Sequence, residues 1–309
     1  NQDIGGWDVS QVTNMGGMFQ FTDVFNQDIG SWDVSNVTDM ISMFSNAAAF
    51  NQDIGGWDVS QITRMRSMFL GAIAFNQDIG GWDVSQVTDM KSMFTSAAVF
   101  NQDIGGWDVS SVTDMRSMFS NAGAFNKDIG GWDVSSVTDM SDMFEDTAFN
   151  QDIGSWDVSS VTDMRSMFFL AAAFNQDIGG WDVSQVIDMK SMFKDARAFN
   201  QDLSTWCVEQ ITSVPRDFDT SSGFDGQTAK QPQWGTCTAM ANVEFKLAPN
   251  GVTITCDNAE QGDTGTVNGV TFTKRDRAGL ESLVASDENN PELANTCTSG
   301  ITDMSSLFG

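Results

Sequence analysis

Residues 75–94 read FNQDIGGWDVSQVTDMKSMF, and close copies of this stretch fill most of the chain up to residue 220. The copies follow one another every 25 residues, with a single step of 24. A fixed period of this length predicts a repeat architecture, so the 309 residues are not expected to form two or three ordinary domains. The copies begin at Asn1, Asn26, Asn51, Asn76, Asn101, Asn126, Asn150, Asn175 and Asn200.

Each copy divides into a strand-like half and a helix-like half. The alternation in FNQDIG predicts a short strand with one polar face, and the glycines after it break the strand and permit a tight turn with positive φ. Apolar residues then recur at intervals of three and four, which is typical of one face of a short helix, with Thr38 and Asp39 suited to its start. These apolar residues are Val34, Val37, Met40, Met43 and Phe44.

One strand and one helix in 25 residues cannot bury their apolar faces alone, so neighbouring copies must stack. The expected fold is a leucine-rich-repeat-like α/β solenoid with Trp, Ile, Phe, Val and Met as interior ladders. Sixteen of the 18 Met and nine of the ten Trp stand at repeated positions. A Met stripe also suits soft metals, but its helical spacing beside Phe44 favours packing.

The conserved segments carry a family resemblance. WDVS persists in eight of the nine copies and TDMxxMF, intact or with one change, also in eight; with FNQDIG they resemble the 25-residue surface repeat of mycoplasma lipoproteins and large Bacteroidota adhesins, a family similar to BspA-type leucine-rich repeats. The resemblance covers residues 1–220. It implies an extracellular, often very large protein that acts in adhesion, and it implies no particular ligand.

The family's terminal repeat is also recognisable, which divides the chain into segments. In FNQDLSTWCVEQITSVPRDF the usual Asp is replaced by Cys207, and a WGTC segment ends at Cys237. A solenoid end exposes its core and needs a cap, so a disulfide between these two cysteines would pin residues 208–236 over that end. The expected segments are a solenoid of eight repeats over 1–199 and a terminal repeat with its cap over 200–237.

Residues 238–296 are expected to form a β-rich connector. Two Asn-Gly dipeptides stand between alternating runs, in VEFKLAPNGVTITC and TGTVNGVTFT, and predict hairpins. A helix is expected over 277–286. A disulfide between Cys256 and Cys297 is expected to staple this connector. Residues 297–309 repeat the helical half of the unit and would start a second array.

Four cysteines allow three pairings, and free thiols or a zinc site are rival interpretations. Zinc sites commonly use histidine or closely spaced cysteines, and this chain has no His and no Cys-x-x-Cys. The oxidising compartment of a surface protein favours disulfides. The pairs Cys207–Cys237 and Cys256–Cys297 are therefore the expected ones.

Charge and composition exclude several functional classes. The net charge of −27 is spread evenly, which disfavours nucleic acid and anionic lipid as partners. No stretch approaches the roughly 20 apolar residues that span a bilayer. The absence of His removes Ser-His-Asp and Cys-His catalysis, and a glycosidase carboxylate pair is disfavoured because every Asp is repeated. We therefore expect a protein that is not an enzyme.

Repeated aspartates form two columns, one in NQDIG and one in WDVS. At a strand spacing of about 4.8 Å like charges repel by about 0.9 kcal/mol in water, so backbone hydrogen bonds, screening salt or bridging Ca²⁺ must offset them. Backbone bonding is favoured for the WDVS column, and the Asn column is expected to hold neighbouring turns rather than a ligand. The candidate cation-binding column is Asp3, Asp28, Asp53, Asp78, Asp103, Asp128, Asp152 and Asp177.

The leading hypothesis is an extracellular adhesin or stalk, secreted as part of a large multidomain precursor that extends beyond Asn1. Its contacts with unidentified protein or glycan ligands would be multivalent. The alternative is a receptor module with one specific patch, which should break the repeat in adjacent units. Variation after the helix is scattered, in QFTDV, LGAIA, EDTA and KDARA, and the basic pairs Arg64 with Arg66 and Lys194 with Arg197 look like isolated solvated charges.

The repeat that starts at Asn126 is one residue short. Because both ladders must stay in register, the deletion is expected to be absorbed between Phe144 and Phe149. That turn reads Asp146-Thr147-Ala148, which resembles the O-glycosylation motif of Bacteroidota and makes Thr147 a candidate modification site.

Overall fold

A computed structural model describes residues 2–237 and five strands of the remaining chain. The chain separates into two compact parts, Asn1–Cys237 and Thr238–Gly309, which we call the repeat region and the C-terminal region. The boundary falls directly after Cys237, where the sequence repeat and its cap end.

The C-terminal region contains two antiparallel hairpins. Strands β1 (Glu244–Leu247) and β2 (Ile254–Asp257) form one; β3 (Thr264–Val267) and β4 (Val270–Lys274) form the other. Strand β5 (Thr296–Cys297) pairs parallel to β4. Each hairpin spans one Asn-Gly dipeptide. The helix expected over 277–286, the second array and the Cys256–Cys297 pairing lie outside the described residues.

The repeat region is held together by hydrogen bonds between consecutive repeats. Within residues 2–237 the backbone forms turns, single parallel β-bridges and one 3₁₀ turn at Thr228–Lys230, and no α-helix or extended strand. The bridges join one residue of each repeat to its equivalent in the next. They run through Asn14, Asp39, Arg64, Asp89, Asp114, Asp139, Asp163 and Asp188.

The half of the repeat expected to be helical forms consecutive turns instead. In repeat 2 (residues 26–50), the amides of Ser42 and Phe44 donate to carbonyls of the next repeat, while Met43 and Ser45 donate three residues back along their own chain. Ser42 also has a positive φ, as does Asn46, which an α-helix does not accommodate. Alternate amides therefore bond inward to the turn and outward to the next repeat.

Polar side chains tie the other half of each repeat to its neighbour. The Asn76 amide donates to Oδ1 of Asn51 at 2.9 Å, and Gln77 Nε2 donates to both oxygens of Asn51. The indole of Trp82 donates to the carbonyl of Ile54 at 3.2 Å. The expected turn-holding role of the Asn column is therefore confirmed, although these side chains are exposed or half-buried.

The glycine pair is used for close approach rather than for positive φ. A Cβ on Gly55 would stand 2.5 Å from the carbonyl oxygen of Asp78 in the next repeat, whereas a Cβ on Gly56 would meet nothing within 4 Å. Neither glycine adopts the positive φ that a Gly pair permits. The second position therefore accepts Ser31 and Ser155 in other repeats.

The interior is a set of ladders of identical side chains. Trp57, Trp82 and Trp107 are at most 4 % exposed, and the repeated Ile and Met are buried from repeat 2 onward, as expected. Phenylalanine rings stack between repeats, with Phe69 and Phe94 5.6 Å apart at their centroids. Aromatic stacking adds to the area buried by these large side chains.

The deletion in repeat 6 (residues 126–149) is absorbed between Phe144 and Phe149, as predicted. In a full-length repeat such as repeat 2 the Ala47 amide donates to the carbonyl of Phe44. In repeat 6 the Thr147 hydroxyl donates to the Phe144 carbonyl at 2.9 Å and accepts from the Phe149 amide at 3.4 Å. A side chain thus closes the shortened turn.

Candidate functional site

The two aspartate columns recognised in the sequence bond to their own backbone. In the candidate cation column, Oδ1 of Asp53 accepts the Gly55 amide at 2.9 Å, and every other member bonds in the same way. In the WDVS column, Oδ1 of Asp33 accepts both the amide and the hydroxyl of Ser35. The backbone bonding favoured for the WDVS column is therefore present in both columns.

These bonds favour the charged form of the WDVS carboxyls. The Ser35 hydroxyl, then the Ser35 amide, lowers the pKa of Asp33 below its ordinary value of 3.8, and Asp8, Asp83 and Asp133 follow the same pattern. Within residues 2–237, no three acidic or thiol side chains are grouped so as to hold a metal ion. The two columns are thus rows of separate carboxylates, each held by its own turn.

A third aspartate row lies on the bridges and was not identified as a column from the sequence. Its carboxylates accept the amide two residues on, as Asp89 does from Lys91 at 3.0 Å and Asp114 from Arg116 at 3.0 Å. Asn14 makes the same bond in repeat 1. Arg64 is the one basic residue in this row, and it forms an ion pair with Asp39 of the preceding repeat.

The bridge row belongs to a surface that we call the charged strip. It comprises, in each repeat, the bridge residue, the residue two positions on and the residue six positions on. Seven of the eleven basic residues in 2–237 lie on it, and Arg216 of the terminal repeat continues it, because its carbonyl accepts the Ser191 amide as the Lys190 carbonyl accepts the Ser166 amide. The seven residues on the strip are Arg64, Arg66, Lys91, Arg116, Arg165, Lys190 and Lys194.

Ion pairs connect neighbouring repeats along the charged strip. Arg116 contacts Asp114 at 3.1 Å in its own repeat and Asp139 at 3.3 Å in the next. Arg165 bridges Asp163 and Asp188 in the same way, at 3.2 and 3.9 Å. Lys194, expected to be an isolated solvated charge, is 3.3 Å from Asp217. Arg64 and Lys194 therefore take part in the strip, which corrects their interpretation from sequence.

Repeat 6 carries more acidic than basic side chains on and beside the charged strip. It carries Ser141 where its neighbours carry Arg116 and Arg165, and it adds Asp142, Glu145 and Asp146. Burial raises the pKa of Asp142 above 3.8 and that of Glu145 above 4.5; nearby carboxylates add to the increase at both groups, while Arg165 and Ser166 oppose it at Asp142. Ser120 donates to Glu145 at 2.9 Å, which partly opposes the effect.

The cap reproduces the contacts of a further repeat. Lys230 Nζ donates to the carbonyl and Oδ1 oxygens of Asn200 at 2.9 and 2.8 Å, where a following repeat would use Gln. The Val208 amide donates to the Thr236 carbonyl, and Trp234 packs edge-on against Phe218. The structure joins Cys207 to Cys237, beside these contacts.

Thr147 does not offer a free hydroxyl for glycosylation. Its side chain is buried, at 6 % exposure, and both hydrogen bonds of the hydroxyl close the shortened turn. The glycosylation prediction fails on this geometry because a glycan on Thr147 would require that turn to open. The motif is explained by the deletion instead.

The repeats that bond to one another along residues 2–237 define the chain as a tandem-repeat protein. Its family is shown by a match to the family described as Mycoplasma protein of unknown function, DUF285, over residues 1–86, 52–148 and 124–234. The chain belongs to this family. No curated protein and no solved structure matches the chain. In the part of the chain that the structure describes, no helix is both long and apolar enough to cross a membrane.

Proposed function

We propose that this chain is a structural and adhesive segment of a long, secreted bacterial cell-surface protein. The repeat region would act as a leucine-rich-repeat-like solenoid of the BspA type, adapted to bridges and turns. The observation that carries the proposal is that the same polar groups recur in every repeat, so any ligand contact is offered many times over. Repeated weak contacts gain avidity without individual strength.

Three further features support this proposal. The chain has no His and its carboxylates recur as rows, which argues against an enzyme. The disulfide in the cap suits an oxidising, extracellular compartment. The acidic surface disfavours nucleic acid and anionic membranes, which leaves proteins and glycans as partners.

Bead display tests the adhesive role. Beads that carry the chain at graded density are incubated with host cells, and bound beads are counted. A multivalent adhesin gives binding that rises more steeply than density, with little binding by the monomer. Antibody against the repeat region should also label intact producer cells. Equal labelling only after permeabilisation would contradict the surface location.

A receptor module with one specific patch is the second candidate, and the charged strip favours it, because repeats 3 and 6 differ there from their neighbours. In that case the monomer binds saturably, and substitutions in one repeat abolish binding at every bead density. Ca²⁺ is a further candidate partner of the Asp3 column. Calcium-dependent thermal stabilisation, lost in a variant with Asp53→Asn and Asp78→Asn, is the expected result if the column binds it.

A further inference from the structure

The charged strip carries opposite charges at two places separated by two balanced repeats. Repeat 3 (residues 51–75) contributes Arg64 and Arg66, and repeat 6 contributes Asp139 and Glu145, while Asp142 and Asp146 each directly follow a strip residue in the chain. Each of the two repeats between them has one Asp on the bridge row and one base two residues on. Between repeats 3 and 6 the net charge of the strip therefore changes from positive, through two balanced repeats, to negative.

The excess charges of repeats 3 and 6 are only partly compensated within the described part of the chain: Asp139 pairs with Arg116, and Arg165 and Ser166 stabilise the Asp142 carboxylate. Arg66 is exposed and forms no ion pair with residues 2–237, and Arg64, paired with Asp39, still has 53 % of its side chain exposed. Asp142, Glu145 and Asp146 also have no basic partner within ion-pair distance among the described residues. Arg116 and Arg165 pair with an Asp in their own repeats, whereas Lys91 forms no ion pair with residues 2–237 and is balanced only in net charge by Asp89.

We propose that the charged strip is an interface for a second copy of this chain, docked antiparallel so that repeat 3 of each copy lies on repeat 6 of the other. A parallel arrangement would place repeat 3 on repeat 3 and repeat 6 on repeat 6, which brings like charges together. An antiparallel two-fold pair uses the same patch on both copies and places the net positive repeat 3 of each copy on the net negative repeat 6 of the other. This inference builds on the proposed adhesive function and identifies one binding partner, a second copy of the chain.

Charge reversal in two variants of the full 309-residue chain tests this arrangement. The first carries Arg64→Asp and Arg66→Glu. The second carries Asp139→Asn, Asp142→Ser, Glu145→Lys and Asp146→Asn, which place in repeat 6 the residues found at equivalent positions elsewhere. These equivalents are Asn14, Ser117, Lys194 and Asn121.

Sedimentation equilibrium should show salt-sensitive self-association of the wild-type chain. Each variant alone should associate at least about tenfold more weakly, equivalent to about 1.4 kcal/mol. An equimolar mixture of the two variants should regain association, because the reversed repeat 3 of one faces the reversed repeat 6 of the other. Circular dichroism melting of each variant establishes that it is folded.

Three results would overturn the inference: a wild-type chain that stays monomeric, variants that associate like the wild type, or a mixture that does not recover. The outcome is separable from the test of adhesion. Beads that bind host cells while the chain stays monomeric would remove the inference and leave the proposed function standing. Loss of association on charge reversal, with recovery on mixing, supports the inference whatever the beads show.

Discussion

Single residues decide how closely consecutive repeats approach. Gly55 lies against the Asp78 carbonyl, whereas Gly56, its neighbour in the chain, faces open space. The same difference recurs along the repeat region, which explains why the first position stays Gly through repeat 8 while the second varies. The invariance of this position reflects packing between backbones rather than a turn that requires positive φ.

Alanine at the two glycines of repeat 3 should therefore have unequal effects. Gly55→Ala forces the Cβ into the next repeat, and we expect it to lower the free energy of unfolding by about 1–3 kcal/mol, the usual cost of overpacking. Gly56→Ala should change it by less than about 0.5 kcal/mol. Urea unfolding followed by Trp fluorescence measures both, and equal effects would show that close approach is not the constraint.

The carboxyls of repeat 6 should respond to pH in the opposite direction to those of the WDVS column. Burial raises the folded-state pKa of Asp142, so its protonated form is favoured, and the free energy of unfolding gains from this group as pH falls through the raised pKa. Asp33 has a lowered pKa, so its contribution is present at neutral pH and is lost as pH falls through that lower value.

Asp142→Asn should raise the free energy of unfolding at pH 7 by about 0.5 kcal/mol, the size of one partly screened charge interaction. The variant should also show a smaller rise in the free energy of unfolding on mild acidification than the wild-type chain. Asp33→Asn is the matched control, and it should destabilise the chain at pH 7. Thermal unfolding between pH 7 and pH 4 measures both effects, and a common direction for the two variants would contradict the assignment.

At the scale of the element, the shortened turn of repeat 6 depends on one hydroxyl. Thr147→Val keeps the shape and removes both hydrogen bonds, so the Phe144 carbonyl and the Phe149 amide lose a buried partner. We expect a loss of about 1–3 kcal/mol in the free energy of unfolding. Thr147→Ser keeps the hydroxyl and should lose clearly less. If Thr147→Ser and Thr147→Val lower the free energy of unfolding equally, the methyl group rather than the hydroxyl stabilises the turn.

The sequence predicted the repeat, its period and its buried ladders, because each rests on which side chains recur. It did not predict the local backbone, since turns closed by bonds three residues back give the same apolar spacing as a helix. The amide of Ser42 bonds to the next repeat rather than to its own turn because Ser42 has a positive φ. A serine side chain gives no indication of that backbone conformation in the sequence. A neighbouring repeat decides that choice.

The charged strip was visible in the sequence only as separate residues. Aligning the repeats places Arg66, Lys91 and Arg116 in one row, and that alignment is the signal that would have revealed it. The ion pairs between Arg116 and two successive aspartates depend on the bridge that joins their repeats. The spacing of repeats across the bridges is a property of the fold, so pairing could not be read from one repeat.

For the whole molecule, the end of the repeat region matters most, because an open end would leave amides and carbonyls without partners. The cap supplies the hydrogen bonds that a further repeat would make. Lys230 contacts Asn200 where a following repeat would use a Gln, and the Thr236 carbonyl accepts the Val208 amide. The disulfide joins Cys207 and Cys237, which are 30 positions apart, so it holds the cap in place even if the hydrogen bonds of the cap open.

Removing this disulfide should loosen the capped end and leave the middle of the array intact. Closing a loop of this length stabilises the folded state by about 3–4 kcal/mol in the chain-entropy description. In a Cys207→Ser and Cys237→Ser variant we expect faster hydrogen exchange over 200–237 and trypsin cleavage after Lys230. Repeats 2–6 should keep wild-type protection, because each repeat depends chiefly on its neighbours.

Peptide mapping of the wild-type chain without reductant should first recover Cys207 linked to Cys237 and Cys256 linked to Cys297. Unchanged exchange over 200–237 in the variant would show that the hydrogen bonds of the cap suffice, and uniform loss of protection would show that the array unfolds as one unit.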